Sequence, residues 1–409
     1  MQDVLARVFL VRHDRESWLP AVVWSLIACA SIAGAAWVAA QPGRLQDLHE
    51  VRNWLSFALT QPGNPYAHFD RQLDYPPIAL LVLSPLALIP ESSLAAWYLP
   101  ISIAVTAAAG WIFVRVITDR LYTRISMSQH IAMVALTLCG SGFRSGLWLG
   151  QTTALAVLFG ALALFWSRKR PFLAALALAA CSFKPHLAVG FGLVILLVDG
   201  MDVVVIALAF AVSGSLLVSA VLNQSLLAMI AGFLHNLSAM YDGPSRIRGL
   251  LSVRWVLDES IGQYQIATAL YVVMAVVSLM AIGIAAKRAP DAAGRTQATA
   301  AALLWPLLFL PSQLYNGLLA GPALWLLMQP DSRLIRSETR RLWCVAPFVL
   351  FGILDIPRIL RFMSDSLDNG YWLYKSSYYL SPLRLAVLFG FILFVALRRA
   401  HKHENAAAA

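Results

Sequence analysis

Apolar residues fill this chain in long unbroken runs, not at the alternating or 3.6-residue spacing of soluble strands and helices. A helix needs roughly 17–25 apolar residues to cross a bilayer. Runs of that size are Trp18–Ala40, Leu94–Val114, Asp202–Leu222, Ile266–Ala286, Leu342–Leu360 and Leu380–Leu397. Shorter runs come as back-to-back pairs: Ile131–Gly142 with Gly150–Trp166, Phe172–Phe183 with His186–Val198, and Ala298–Leu310 with Leu314–Met328. The inserts GFRSGLWLGQ, SFKPHL and LPSQLYN divide them. Counting every run, the pattern predicts an all-α polytopic membrane protein with a single bundle of about twelve spans over residues 1–409. Irregular backbone at membrane depth survives only where protein buries it or where it lines a cavity, so the inserts are pointers to a site. The run YPPIALLVLSPLALIP (Tyr75–Pro90) is short and carries four prolines. It is expected to form a partly embedded helix on the outer side.

Composition agrees with lipid as the solvent: 59% of residues are hydrophobic and 13% charged, half the roughly 25% charge of a soluble domain. Mean hydropathy is +0.70. A net charge of +10 raises nucleic acid as a partner, but its distribution argues against one. Basic residues gather in nearly every inner turn of the twelve-span arrangement: Arg7, Arg12 and Arg15; Arg115, Arg120 and Arg124; Arg168, Lys169 and Arg170; Lys287, Arg288 and Arg295; Arg333, Arg336, Arg340 and Arg341; Arg398, Arg399 and Lys402. That pattern follows the positive-inside rule and puts both termini in the cytoplasm. Three outer loops remain: 41–91, 223–265 and 361–379. The three inserts face the same side. The four cysteines have no metal or disulfide spacing. No Walker loop, dinucleotide fingerprint, HExxH or nucleophile elbow is present, and no DxD pair suggests a catalytic metal. No cofactor is expected.

Asp47 follows the first apolar run by seven residues, which places a carboxylate near the outer surface. It is either a general base for a hydroxyl or a helix cap, and His49, Glu50, Asp70 and Asp74 compete for the first role. Lys184 precedes Pro185 and His186 at the hinge of a short pair. A cation there is costly unless it meets water or an anion, and it can hold a phosphate as a point charge. Arg246, Arg248 and Arg254 lie on the side otherwise poor in arginine, fitting an anionic partner such as a lipid phosphate or the headgroups themselves. Arg144, Gln151, Gln313, Tyr315 and Asn316 sit in the polar inserts, where they bond either a sugar or a neighbouring helix. Tyr75, His186 and His235 join them as candidate sugar or acceptor ligands. Tyr371–Tyr379 reads as an interfacial aromatic belt.

Taken in order, Asp47, GNPY (Gly63–Tyr66), the YPP run, LGQTTALAVLFGALAL (Leu149–Leu164), FKPHLA (Phe183–Ala188) and LYNGLL (Leu314–Leu319) resemble the polytopic glycosyltransferases of family 87, in the GT-C superfamily. The late step carries Ser312 and Gln313 where relatives often have histidine, and Thr152 and Thr153 follow the Gly–Gln pair. The resemblance implies a GT-C-like bundle in a bacterial inner membrane, a polyprenyl-phosphate sugar donor, typically mannose, and a glycolipid or glycan acceptor of the cell envelope. It implies one inverting displacement with Asp47 as general base, and Lys184 with Arg246, Arg248 or Arg254 on the departing phosphate. A flippase or a ligase of lipid-linked sugars would share the outer cations. A flippase would favour an internal repeat and an inward-facing cavity, and the sequence shows no repeat.

Overall fold

The computed structural model describes residues 18–41, 43–61, 63–68, 74–121, 126–241, 251–289, 291–310, 314–320, 323–324, 326, 359–360, 363–364 and 371–408. Among them every regular element is helical. In chain order these are α1 (Leu19–Ala39), α2 (Gln46–Thr60), α3 (Pro65–His68), α4 (Ile78–Leu83), a 3-10 turn (Ser84–Leu88), α5 (Glu91–Leu121), α6 (Met127–Cys139), α7 (Ser141–Leu149), α8 (Thr153–Trp166), α9 (Pro171–Cys181), α10 (Pro185–Val198), α11 (Asp202–Val221), α12 (Leu226–Tyr241), α13 (Val253–Ile261), α14 (Tyr264–Lys287), α15 (Ala292–Phe309), a second 3-10 turn (Leu314–Leu319) and α16 (Tyr371–Ala408).

Five helices among the described residues are long and apolar enough to cross a membrane: α1, α5, α11, α14 and α16; a sixth arises if α6 and α7 form one bent span. The sequence expectation of about twelve is not reached. The reason is length. α8, α9 and α10 have 14, 11 and 14 residues, which at 1.5 Å per residue rise about 21, 17 and 21 Å, short of the ~30 Å hydrocarbon core. Most of Leu342–Leu360 lies outside the described residues. Two other expectations change. The insert GFRSGLWLGQ is mostly helix α7, because Phe143 and Leu147, four residues apart, both bury. Tyr371–Tyr379 opens the continuous helix α16 and is no loop. The proline-rich run after Tyr75 forms only α4 and the short 3-10 turn, too short to span.

The chain divides into two compact units: residues 1–31, 113–143 and 249–409, and residues 32–112 and 144–248. In the first, α14, α15 and α16 pack together. Trp305 Nε1 donates to Ala275 O at 3.2 Å and Ser278 Oγ at 3.0 Å, and Tyr271 Oη to Phe309 O at 2.6 Å. The backbone of Gly317 and Leu318 passes so close to Gly142 that a Cβ there would lie 2.7 Å from Leu318 N.

The second unit is built on alanine and glycine. Ala156, Ala161, Ala163, Ala174 and Ala175 are wholly buried where α8, α9, α10 and α11 meet. Small residues let helix backbones approach closely where lipid offers no hydrophobic drive to association. Gly160 of α8 faces the Phe191 ring of α10, and a Cβ on it would sit 2.1 Å from a ring carbon. α9 and α10 each begin with proline, Pro171 and Pro185, at a position whose missing N–H costs nothing. α7 ends in a left-handed turn at Gly150 (φ +81°), after which Gln151 N–H reaches back to Gly146 O at 2.8 Å. This Schellman-type stop brings Gly150 against α2, where a Cβ would lie 2.5 Å from Leu48 Cβ. Leu45, also left-handed, donates its N–H to Trp148 O at 3.0 Å just before α2. The first turn of α2 is thus clamped to the α7–α8 turn.

Gly160→Ala overpacks a ring with nowhere to move, and should destabilise the protein by about 1–3 kcal/mol. Gly150→Ala adds a strained left-handed backbone of roughly 1–2 kcal/mol to a similar clash. Thermal unfolding in detergent checks both: each should lower Tm, whereas Gly34→Ala, with open space around it, should not.

Candidate active site

All the described residues of the site belong to the second unit. The clamp between α2 and the α7–α8 turn sets Asp47, in the first turn of α2, opposite Gln151. Gln151 Nε2 donates to Asp47 Oδ2. Lys184 donates from Nζ to Gln151 Oε1 at 2.6 Å. Lys184 caps the start of α10, where the Lys–Pro step stops the helical run of α9. Its side chain is only 5% exposed and lies 4.9 Å from the centre of the Tyr75 ring, a cation–π contact worth more in a desolvated site than at the surface.

Tyr75 is where the motif segments meet. Its hydroxyl lies 3.3 Å from Thr152 Oγ1. Its carbonyl accepts from Tyr66 Oη at 2.7 Å, and its ring stacks with Trp54 and Phe183 at centroid distances of 6.2 and 6.4 Å. Tyr66 is held in turn by Asn64 Oδ1, which accepts its N–H at 3.1 Å, and by Asn236 Nδ2, which donates to its carbonyl at 3.3 Å. Gly232 of α12 lies flat against Tyr66, where a Cβ would come within 2.6 Å of the tyrosine Cβ. From the other side Tyr98 of α5 donates to Gly146 O and Gln151 O, both at 3.0 Å.

The charges are one ammonium and two carboxylates. Asp74, adjacent to Tyr75, feels both the Lys184 ammonium and the Asp47 carboxylate. Burial raises the pKa of Asp47 above its ordinary value, with the Gln151 hydrogen bond and Lys184 pulling it partly back. Burial likewise raises Asp74; Lys184 opposes the shift and Asp47 adds to it. Two carboxylates sharing one cation hold protons more tightly than either would alone. No group of three or more metal-ligating side chains occurs among the described residues.

Of the residues singled out in the sequence, the structure brings together Asp47, Tyr75, Gln151 and Lys184. His49 pairs instead with Glu91 at 3.5 Å, and Glu50 is exposed on α2. Arg144 and His186 are half-buried, in α7 and in the first turn of α10, and His235 is exposed on α12. Arg254 belongs to the first unit, where it meets Asp258 at 3.6 Å and donates to Tyr264 Oη at 2.5 Å. Tyr315 and Asn316 lie in the second 3-10 turn. Arg246, Arg248 and Gln313 lie outside the described residues. Asp74, which the sequence offers as a competitor of Asp47, lies within electrostatic reach of both Lys184 and Asp47. Tyr66, Tyr98 and Trp54, which brace the site, went unassigned. The tyrosine of GNPY and the aspartate before YPP were the available signals.

The model of Glycosyltransferase family 87 matches residues 73–312. The match takes in Asp74, Tyr75, Gln151 and Lys184, and Asp47 precedes it. Neither curated proteins nor solved structures give a match. Residues 73–312 are more than half of a 409-residue chain whose apolar helices fit a membrane, and the protein belongs to glycosyltransferase family 87.

Proposed function

We infer that this glycosyltransferase moves a sugar, mannose being the expected one, from a polyprenyl-phosphate donor to a hydroxyl of a glycolipid or glycan acceptor. The observation that carries this reading is a half-buried carboxylate linked through one amide to a buried ammonium, in a family 87 chain. The reaction is a single displacement. The acceptor oxygen bonds to the anomeric carbon as the bond from that carbon to the phosphate oxygen breaks, inverting the centre. The acceptor proton passes to Asp47, and the electron pair leaves with the polyprenyl phosphate.

Each partner has a physical reason. A base works best with a pKa near the working pH, and burial moves Asp47 in that direction. Negative charge grows on the phosphate as it departs, so a preorganised cation lowers the barrier more than it strengthens ground-state binding. Lys184 is the described cation of the site; Arg246, Arg248 and Arg254 are the further candidates. The basic turns support a reading with both termini in the cytoplasm and the site on the extracytoplasmic side, and the family resemblance suggests a bacterial inner membrane.

Asp47→Asn in purified protein should retain donor binding and lose transfer by about a hundredfold or more, the scale of a general base; near-normal transfer sinks the assignment. The acid limb of kcat should lie above the ordinary carboxylate range, because Asp47 must be ionised to accept a proton and burial raises its pKa. Asp74→Asn removes a like charge and should move that limb to lower pH. A limb that stays in place after this change would show that the two carboxylates do not titrate together. Lys184→Glu should weaken binding of the lipid phosphate, measured with radiolabelled donor.

A further inference from the structure

The sequence leaves Gln151 as a ligand of sugar or a bond to a neighbouring helix. Its surroundings assign it a different task. The side chain is only 6% exposed. Both ends of its amide are engaged, with Lys184 on the oxygen and Asp47 on the nitrogen. The orientation of the amide is forced. An ammonium only donates and a carboxylate only accepts, so Oε1 must face Lys184 and Nε2 must face Asp47. The backbone is fixed as well: its N–H is bonded to Gly146 O at 2.8 Å and its carbonyl to Tyr98 Oη at 3.0 Å. A sugar ligand keeps free donors and acceptors at an open surface. This residue has a locked backbone, and one donor and one acceptor of its buried amide are committed to the two charges.

We propose that Gln151 is a positioning residue: its amide couples Lys184 to Asp47 and fixes the carboxylate with Oδ2 occupied and Oδ1 presented to the acceptor hydroxyl. The proposal rests on Asp47 being the base. An amide suits this task better than a direct ion pair. A lysine bonded straight to Asp47 would hold the carboxylate in its ionised form and make it a poorer base. A neutral amide passes on orientation and part of the charge, and leaves the carboxylate basic. The proton moves only from the acceptor oxygen to Asp47 Oδ1, and Gln151 stays neutral throughout. The groups facing this arrangement are Lys184 at the start of α10, Asp74 and Tyr75 in the first loop, Thr152 beside Gln151, and Tyr98 on α5, while His49 on α2 itself turns to Glu91.

The test uses the full-length protein in lipid nanodiscs, with wild type, Asp47→Asn, Gln151→Leu and Gln151→Glu compared by infrared titration of carboxyl groups. The band missing in Asp47→Asn identifies Asp47. Losing a hydrogen bond to the ionised carboxylate should raise the midpoint of that band by about one pH unit in Gln151→Leu. The near-isosteric Gln151→Glu, which should fold where the leucine variant does not, adds a facing negative charge and should raise it further. In transfer assays Gln151→Leu should lower kcat by tenfold or more with donor KM changed less than twofold. A purely packing role would reduce the amount of active protein without moving the midpoint. An unmoved midpoint in both variants overturns the proposal. So does a raised donor KM with kcat intact, which makes Gln151 a sugar ligand. If Asp47→Asn keeps its transfer activity, the general-base reading fails, while the infrared midpoints still decide whether Gln151 holds Asp47.

Discussion

A buried ammonium is the constraint on which the rest of the site depends. Lys184 sits at 5% exposure between two short apolar helices. An isolated charge in such surroundings costs several kcal/mol. It is retained because Gln151, the Tyr75 ring and two nearby carboxylates answer it. Each of these needs its own fixed position. Tyr75 depends on Tyr66, Tyr66 on Asn64 and Asn236, and Gln151 on the Gly150 turn and Tyr98. The braces therefore follow from the placement of one charge.

Two backbone devices do the placing. A Lys–Pro step breaks the helical run so that a side chain can project from between two helices, with the next helix starting at a proline that lacks the unneeded donor. A left-handed glycine ends α7 so abruptly that the following residue points at α2. Neither device is polar. The polar chemistry of the site is arranged by the two residues least able to take part in it.

The motifs were legible in the sequence because they break hydrophobic runs: a lysine before proline, a glycine–glutamine pair and a tyrosine with two prolines all interrupt Leu–Ala stretches. Charge and position marked Asp47 and Lys184 as candidates, and the resemblance to family 87 supplied their expected roles as base and cation. Their connection was not legible, since Gln151 is 104 residues from Asp47 and 33 from Lys184. A polar residue in an apolar setting looks alike in sequence whether it faces a ligand or another side chain. For that reason the sequence leaves Gln151 between a sugar ligand and a helix contact, and leaves Asp74 as a competitor of Asp47. The span count among the described residues stays below the expected twelve for a related reason: hydropathy registers that a segment is buried in something apolar, and protein satisfies that as well as lipid. α8, α9 and α10 are apolar because they bury one another.

Charge balance limits what the site can do by itself. With both carboxylates ionised, Asp47, Asp74 and Lys184 together carry one net negative charge, and a donor phosphate would add another. A cluster of that sign repels its proposed substrate unless Asp74 holds a proton or further cations enter. Burial raises Asp74, which favours the first route. For the second, Arg254 already pairs with Asp258 and bonds Tyr264, so freeing it would break contacts that stabilise its own helix. Arg246 and Arg248 precede it in the same segment, with Asp242 as the carboxylate beside them in sequence. For that second route, Arg246 and Arg248 are the remaining candidates in the sequence, beside the Lys184 ammonium already buried in the site.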